Sequence, residues 1–459
     1  MSHNANAIDE VKALLGERLS TSQSVRDTHG ENEAHYPHTP PDAVAFPNSA
    51  QEVAEIVKIC AKHRCPIVPW GVGTSLEAHA LAIRGGITLN MQNMNKIVEV
   101  MDADLAVRVG PGITRSRLNS ELRATGLFFP VDPGADASIG GMAATRASGT
   151  TAVRYGTMRE NVLGMEVVTA DGRIIRTGTT AKKSSSGYDL TKLMIGSEGT
   201  LGIITELTLR LQGQPDAIAA AVCPFPDVAS AVNTVISAVQ IGIPMARMEL
   251  IDPNSMKAIN AYSDLSYPEE PHLFLEFHGS KTAVVEQSET LAEIAKENGG
   301  SDFQWTTKTE ERSKLWQARH DAYFATKAQY SGQLGLSTDV CVPISQLATA
   351  IDETMEDLDS HKVVGNIVGH VGDGNYHALL FAPADDKNAL DLNLKLAGRM
   401  AERALKLGGT VTGEHGIGMG KMKYMQAEHG DAWQVMAQIK QALDPENILN
   451  PGKIVEINA

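Results

Sequence analysis

Residues 69–80 read PWGVGTSLEAHA, a glycine-rich turn directly after the apolar pair Ile67-Val68. Upstream, Ser49 stands three residues before Glu52 and opens a stretch with Val53, Ile56 and Val57 at helical spacing, a capped helix start. Helix, short turn, buried strand and glycine turn in that order mark the first crossover of an α/β or α+β lobe. Backbone N–H groups reach phosphate oxygens closely only where no side chain intervenes, which is what glycine provides. Two more segments share this texture: ADASIGGMAATRASG (135–149) and GSEGTLG (196–202), the latter leading into the alternating strand IITELTLRL. None fits GxGxxG after a strand or GxxxxGK[ST], which disfavours a nicotinamide Rossmann fold and a nucleotide hydrolase.

Further strands are expected at 87–91, 97–100 and 105–109, with a helix over 116–125. At Gln212-Gly213-Gln214-Pro215 the glycine-rich texture stops and longer amphipathic stretches begin, which predicts a domain boundary. The second lobe shows an alternating strand at 273–277 and helices around 281–298 and 351–358. The tail LDPENILNPGKIV regains the punctuation of the first lobe, so the chain is expected to return there.

The chain has 459 residues, too many for one compact core. Its 40 Lys plus Arg against 55 Asp plus Glu give a net charge of −15, which disfavours binding a phosphate backbone through a broad basic surface and argues against nucleic acid as a partner. No apolar run approaches membrane-spanning length. The opening residues lack a secretory core, and Asp9, Glu10 and Glu17 argue against a mitochondrial presequence, so a cytoplasmic protein is expected, with peripheral membrane attachment left open. Four scattered cysteines, Cys60, Cys65, Cys223 and Cys341, do not make a disulfide framework.

Two histidine segments carry the chemistry. In GHVGDGNYHALL (369–380), a hairpin turn at Asp373-Gly374 would set His370 directly opposite His377, close enough to share one metal ion. In GEHGIGMGK (413–421), glycines flank Glu414 and His415, a carboxylate to complete a His, His, Glu set and an imidazole beside it. Either segment alone reads as ordinary turn glycines; both in one chain point to a metal site.

The segments at 69–80, 132–149, 154–172 and 185–211, with NPGK at 450–453, resemble the FAD-binding fold of the vanillyl-alcohol oxidase superfamily. Adding WQARHDAYFA (316–325), STDVCVPISQL (337–347) and the two histidine segments, almost the whole chain resembles the D-lactate dehydrogenase (cytochrome) type, near D-2-hydroxyglutarate dehydrogenase and the glycolate oxidase flavin subunit. The resemblance implies an α+β architecture: a two-subdomain FAD-binding domain at 1–213, an α+β substrate and metal-binding cap at 214–425, and a returning segment at 426–459. It places noncovalent FAD among Gly71, Gly73, Thr74, Ser75, Ser138, Gly140, Gly141, Gly199, Gly202, Ile204 and Asn450. It makes His370, His377 and Glu414 the ligands of zinc or manganese, His415 the base, and Arg319 the partner of the substrate carboxylate. His79, the one histidine near the glycine turn, is not expected to bond the flavin.

The implied reaction is metal-assisted oxidation of a small D-2-hydroxy acid, D-lactate before glycolate or D-2-hydroxyglutarate. The hydroxyglutarate branch tends to carry a lysine just before the aspartate of the segment equivalent to Ser337-Thr338-Asp339, and this chain has no basic residue there. Electrons would pass to cytochrome c, a quinone or an electron-transfer protein; a homodimer stays open. Two readings from other classes remain: a metal-dependent hydrolase and a noncatalytic flavin-binding subunit.

Overall fold

The structure is a computed structural model that describes residues 4–457. The chain forms two compact units, one made of 4–148, 156–214 and 414–457, the other of Gly149–Tyr155 and Pro215–Gly413. The chain passes from the first unit to the second between Gln214 and Pro215, and the second unit closes at Gly413.

In the first unit Ser49 caps the helix Ala50–His63 by accepting the Glu52 N–H. The full capping box does not form, because the Glu52 carboxylate instead pairs with Arg18 and takes the Asn48 N–H. Val53, Ala54, Ile56, Val57 and Cys60 face inward at helical spacing. They pack on a four-stranded sheet ordered Leu19–Ser20, Ala43–Ala45, Ile87–Asn90, Ile67–Trp70, whose last three strands run parallel. Its open edge is closed from far along the chain by Leu449, which bridges to Ile67.

A second, antiparallel sheet is ordered Ile97–Met101, Ala106–Val109, Ile203–Arg210, Val162–Val168, Ile174–Gly178. Residues 203–210 alternate in burial along most of their length, as the sequence pattern requires of a strand with one face on a core.

The second unit is an antiparallel sheet with the order Gln304–Thr306, Ala217–Pro224, His272–Gly279, Met245–Ile251, Gly365–His370, Asn375–Pro383, Gln333–Ser337. Val340–Cys341 also pairs with Asn375–Pro383. One face packs on helices Val228–Gln240, Lys281–Glu297, Leu347–His361 and Lys387–Lys406. The other carries Pro253–Ser263 and Thr309–Gln329. Covered on both sides, the central strands are buried almost end to end and read as continuous apolar runs rather than alternations. A polar group in such a strand therefore needs a specific partner.

Candidate functional site

The hairpin of the histidine segment differs in register from expectation. His370 pairs with Asn375, and His377 sits opposite Val368. The loop spans 371–374, with Asp373 N–H donating to the His370 carbonyl at 3.0 Å. Gly374 is required for another reason: with φ of +79°, a Cβ there would meet the Val342 carbonyl oxygen at 2.0 Å. A two-residue shift is even, so it leaves both histidines on one face of the sheet as diagonal neighbours. Their rings lie 5.3 Å apart, edge to face.

Both rings are held by Nδ1. His377 Nδ1 is 2.9 Å from the Thr338 carbonyl oxygen, and His370 Nδ1 is 2.8 Å from Glu249 Oε1. A carbonyl and an ionised carboxylate only accept, so in the neutral form each ring carries its proton on Nδ1 and its lone pair on Nε2. One ligand atom from each of His370, His377 and Glu414 lies within 4.8 Å of the others. Glu414 is joined by one peptide bond to Gly413, which packs on Asn375, the cross-strand partner of His370. Two neutral imidazoles and a carboxylate at this spacing suit a divalent cation such as zinc or manganese.

Arg319 lies on the helix Thr309–Gln329 over the same sheet face, where Nε and Nη2 both donate to Glu249 Oε2, at 3.1 and 2.6 Å. Next to the histidines, Asp339 is buried, accepting from Asn375 Nδ2 at 2.7 Å and Thr412 Oγ1 at 2.6 Å. Sequence reasoning missed Glu249, Asp339 and Asn375. For Glu249 one signal was available, a lone carboxylate inside the apolar run MARMELI.

His415 is mostly buried, with Nε2 4.0 Å from Glu414 Oε1, beyond hydrogen-bond reach. Its loop is anchored by Glu198, whose Oε1 and Oε2 accept the N–H groups of Ile417 and Gly418 at 2.7 and 2.8 Å. The glycines of this loop serve close approach more than aim. A Cβ at Gly416 would meet His79 Nε2 at 2.6 Å, and one at Gly418 the Glu77 carbonyl oxygen at 1.8 Å. His79 is buried beside Glu198, with Nε2 3.2 Å from Oε1.

The cofactor glycines fall into two groups. Gly71 and Ser138 face each other, a Cβ on Gly71 falling 2.2 Å from Ser138 Oγ, and Gly141 approaches the same hydroxyl. Gly73 adopts φ of +80° over the Trp70 ring, and Thr74 and Ser75 are half-buried beside it. These leave a cradle that side chains would fill, which fits a phosphate-bearing group. Gly140, Gly199 and Gly202 instead press on Pro111, Pro69 and Val167, and the Gly140 N–H is spent on the Pro111 carbonyl at 2.8 Å. Ile204 is buried within the strand Ile203–Arg210. Asn450 spends Nδ2 on the carbonyls of His79 and Glu198, at 2.9 and 2.7 Å, so only its buried Oδ1 is left for a cofactor.

Residues 41–178 match the family described as FAD binding domain, and 214–454 the family described as FAD linked oxidases, C-terminal domain. A probable D-lactate dehydrogenase, mitochondrial, of Danio rerio is 50% identical across 98% of this chain and 92% of its own length. The D-lactate dehydrogenase [cytochrome], mitochondrial, of Arabidopsis thaliana is 43% identical across 98% of this chain and 80% of its own. A crystal structure of p-cresol methylhydroxylase with substrate bound has the same fold, with a TM-score of 0.82 at 17% identity, covering 100% of this chain and 98% of that one.

Proposed function

This chain belongs to the FAD-linked oxidase family, within the flavoproteins of vanillyl-alcohol oxidase type, and from that premise we propose that it oxidises D-lactate to pyruvate with the help of a divalent metal. The observation that carries the metal is the trio His370, His377 and Glu414, with ligand atoms within 4.8 Å and both Nδ1 protons already engaged. The substrate follows from the two relatives at 50% and 43% identity, whose names both specify D-lactate.

When bound, FAD supplies a two-electron acceptor and the metal a Lewis acid. Arg319, fixed on one edge by Glu249, turns its other edge to the substrate carboxylate and so orients C2. His415 takes the hydroxyl proton as the C2 hydrogen leaves with its electron pair. Product and substrate then differ by two electrons and two protons. The electrons pass on to a cytochrome or quinone acceptor, in keeping with the name of the plant relative.

The FAD-binding match at 41–178 gives the first unit a role that a metal hydrolase would lack. Among the described residues no helix is long and apolar enough to cross a membrane. Both relatives are named mitochondrial, and cell fractionation decides where this chain resides. The decisive experiment is anaerobic mixing with a panel of D- and L-2-hydroxy acids. D-lactate should bleach the flavin fastest; bleaching by L-lactate at an equal rate would overturn the assignment.

A further inference from the structure

Glu249 sits in the middle of the strand Met245–Ile251, and its side chain is entirely buried, at 0% exposure. Its register partner on the neighbouring strand is His370. Both carboxylate oxygens lie near His370 Nδ1, at 2.8 and 2.9 Å, while Oε2 also takes the two bonds from Arg319. A carboxylate wholly removed from water is costly to keep ionised unless it is paired and hydrogen-bonded, and an apolar side chain would suit this two-sided core at least as well. Its four close contacts go to two residues of the proposed site, so packing alone does not account for it.

We propose that Glu249 is a positioning residue that sets the metal-binding and carboxylate-binding groups from one point. The inference rests on the reading of His370 as a ligand and Arg319 as the substrate's partner. Toward His370, an acceptor-only carboxylate keeps the proton on Nδ1 and the lone pair on Nε2. Toward Arg319, it occupies the Nε–Nη2 edge of a planar guanidinium, and the Nη1–Nη2 edge remains for a second carboxylate. Because one group bonds both, the separation of ligand and guanidinium is set by hydrogen bonds instead of by the rotamers of a long side chain. A 2-hydroxy acid held through its hydroxyl at one end and its carboxylate at the other needs that separation fixed. The rival view is a plain ion pair tying the helix Thr309–Gln329 to the sheet, which would affect stability alone.

The test uses FAD-loaded protein stripped of metal and titrated with Mn²⁺, free Mn²⁺ being read by electron paramagnetic resonance. Glu249→Gln is nearly isosteric, but its amide can offer an N–H to Nδ1 and so favour the wrong tautomer. It should bind Mn²⁺ about 10- to 100-fold more weakly, the usual cost of losing such an outer partner. Arg319→Met should hold Mn²⁺ within about threefold of wild type, and the KM for D-lactate should rise in both variants. At saturating Mn²⁺ their KM effects should add less than fully in the double variant, because one of the two routes from Glu249 to the substrate runs through Arg319. Where Gln prevents folding, judged by FAD content and Tm, Glu249→Asp keeps the charge but shortens the reach, and should weaken Mn²⁺ or D-lactate binding at least about threefold. Wild-type Mn²⁺ affinity together with wild-type KM in a folded Gln or Asp variant would overturn the inference alone. Wild-type protein that takes up no Mn²⁺ would overturn the metal reading and this inference with it.

Discussion

His377 holds its Nδ1 2.9 Å from the carbonyl oxygen of Thr338, a bond that commits the opposite ring nitrogen to a lone pair. Glu249 holds His370 by its Nδ1 in the same way, so on the proposed metal reading the Nε2 atoms of both rings are the ones offered to the ion. Replacing either by alanine should remove the metal and leave the protein yellow. Elemental analysis beside the visible spectrum measures both, and a full equivalent of metal in the double variant would exclude the hairpin histidines as ligands.

His415 lies one residue from Glu414, yet its Nε2 stays 4.0 Å from that carboxylate. His415→Gln should therefore keep FAD and metal near wild-type content while anaerobic flavin reduction by D-lactate slows about 10²–10⁴-fold, the usual contribution of a positioned base. Rapid mixing at the flavin band reads the rate, and an unchanged rate removes His415 from the mechanism.

Two glycine substitutions should fail in different ways. Gly71→Ala meets the end of a side chain, Ser138 Oγ, which can rotate away, so the fold should survive with FAD affinity reduced at least tenfold. Gly199→Ala meets the Pro69 ring at 2.3 Å from a φ of +73°, so it should cost about 2 kcal/mol or more of stability. Thermal melts and FAD titration separate the two; the reverse pattern would mean the cradle lies elsewhere.

D-lactate should be preferred to D-2-hydroxyglutarate. Ser337 and Thr338 offer no cation, and Thr338 Oγ1 is already engaged, accepting the Ala378 N–H at 2.8 Å. A ratio of kcat/KM favouring the dicarboxylate tenfold, about 1.4 kcal/mol of transition-state binding, would contradict this.

Asp252 caps the helix Pro253–Ser263 from a fully buried position, and burial pushes its carboxyl up to about 6 from an ordinary 3.8. A carboxylate whose folded pKa is raised lowers stability as pH climbs from about 4 to about 6, and the loss persists above that range. At 1.4 kcal/mol per unit, the penalty at pH 8 is on the order of 3 kcal/mol. Asparagine caps equally well without ionising. Asp252→Asn should raise Tm at pH 8, and the gain should shrink as pH drops from 6 toward 4. A gain that stays constant from pH 4 to pH 8 would show that folding does not raise the Asp252 pKa.

What could be read from residues alone was local and periodic. Ser49 and Glu52 announce the helix Ala50–His63, and the strand Ile203–Arg210 announces itself by alternation. The hairpin register was misjudged by two residues because Gly374 answers to Val342, a neighbour just past the strand Val340–Cys341 that turn rules cannot see. The two histidines nonetheless share a face, since an even slip preserves it. That Gly140 and Gly199 face prolines while Gly71 faces a hydroxyl is not legible in the sequence, because packing against a proline and clearing room for a phosphate demand the same residue. Glu249 escaped notice because its partners, Arg319 and His370, lie 70 and 121 positions away in the chain.

The closure of the first sheet by residues near 450 also bears on how the protein is made. Ile67 receives its last neighbour when Leu449 bridges to it, and Asn450 donates its N–H to the Ile67 carbonyl at 2.8 Å. On a ribosome, Pro215–Gly413 emerges as one nearly complete stretch and can fold while synthesis continues. The flavin unit, begun first, waits with an unpaired strand edge for almost four hundred residues. Such an edge is a template for pairing with another chain, so the nascent protein is most exposed to aggregation during that interval. Slowing translation late in the message should lower the yield of soluble protein more than slowing it early.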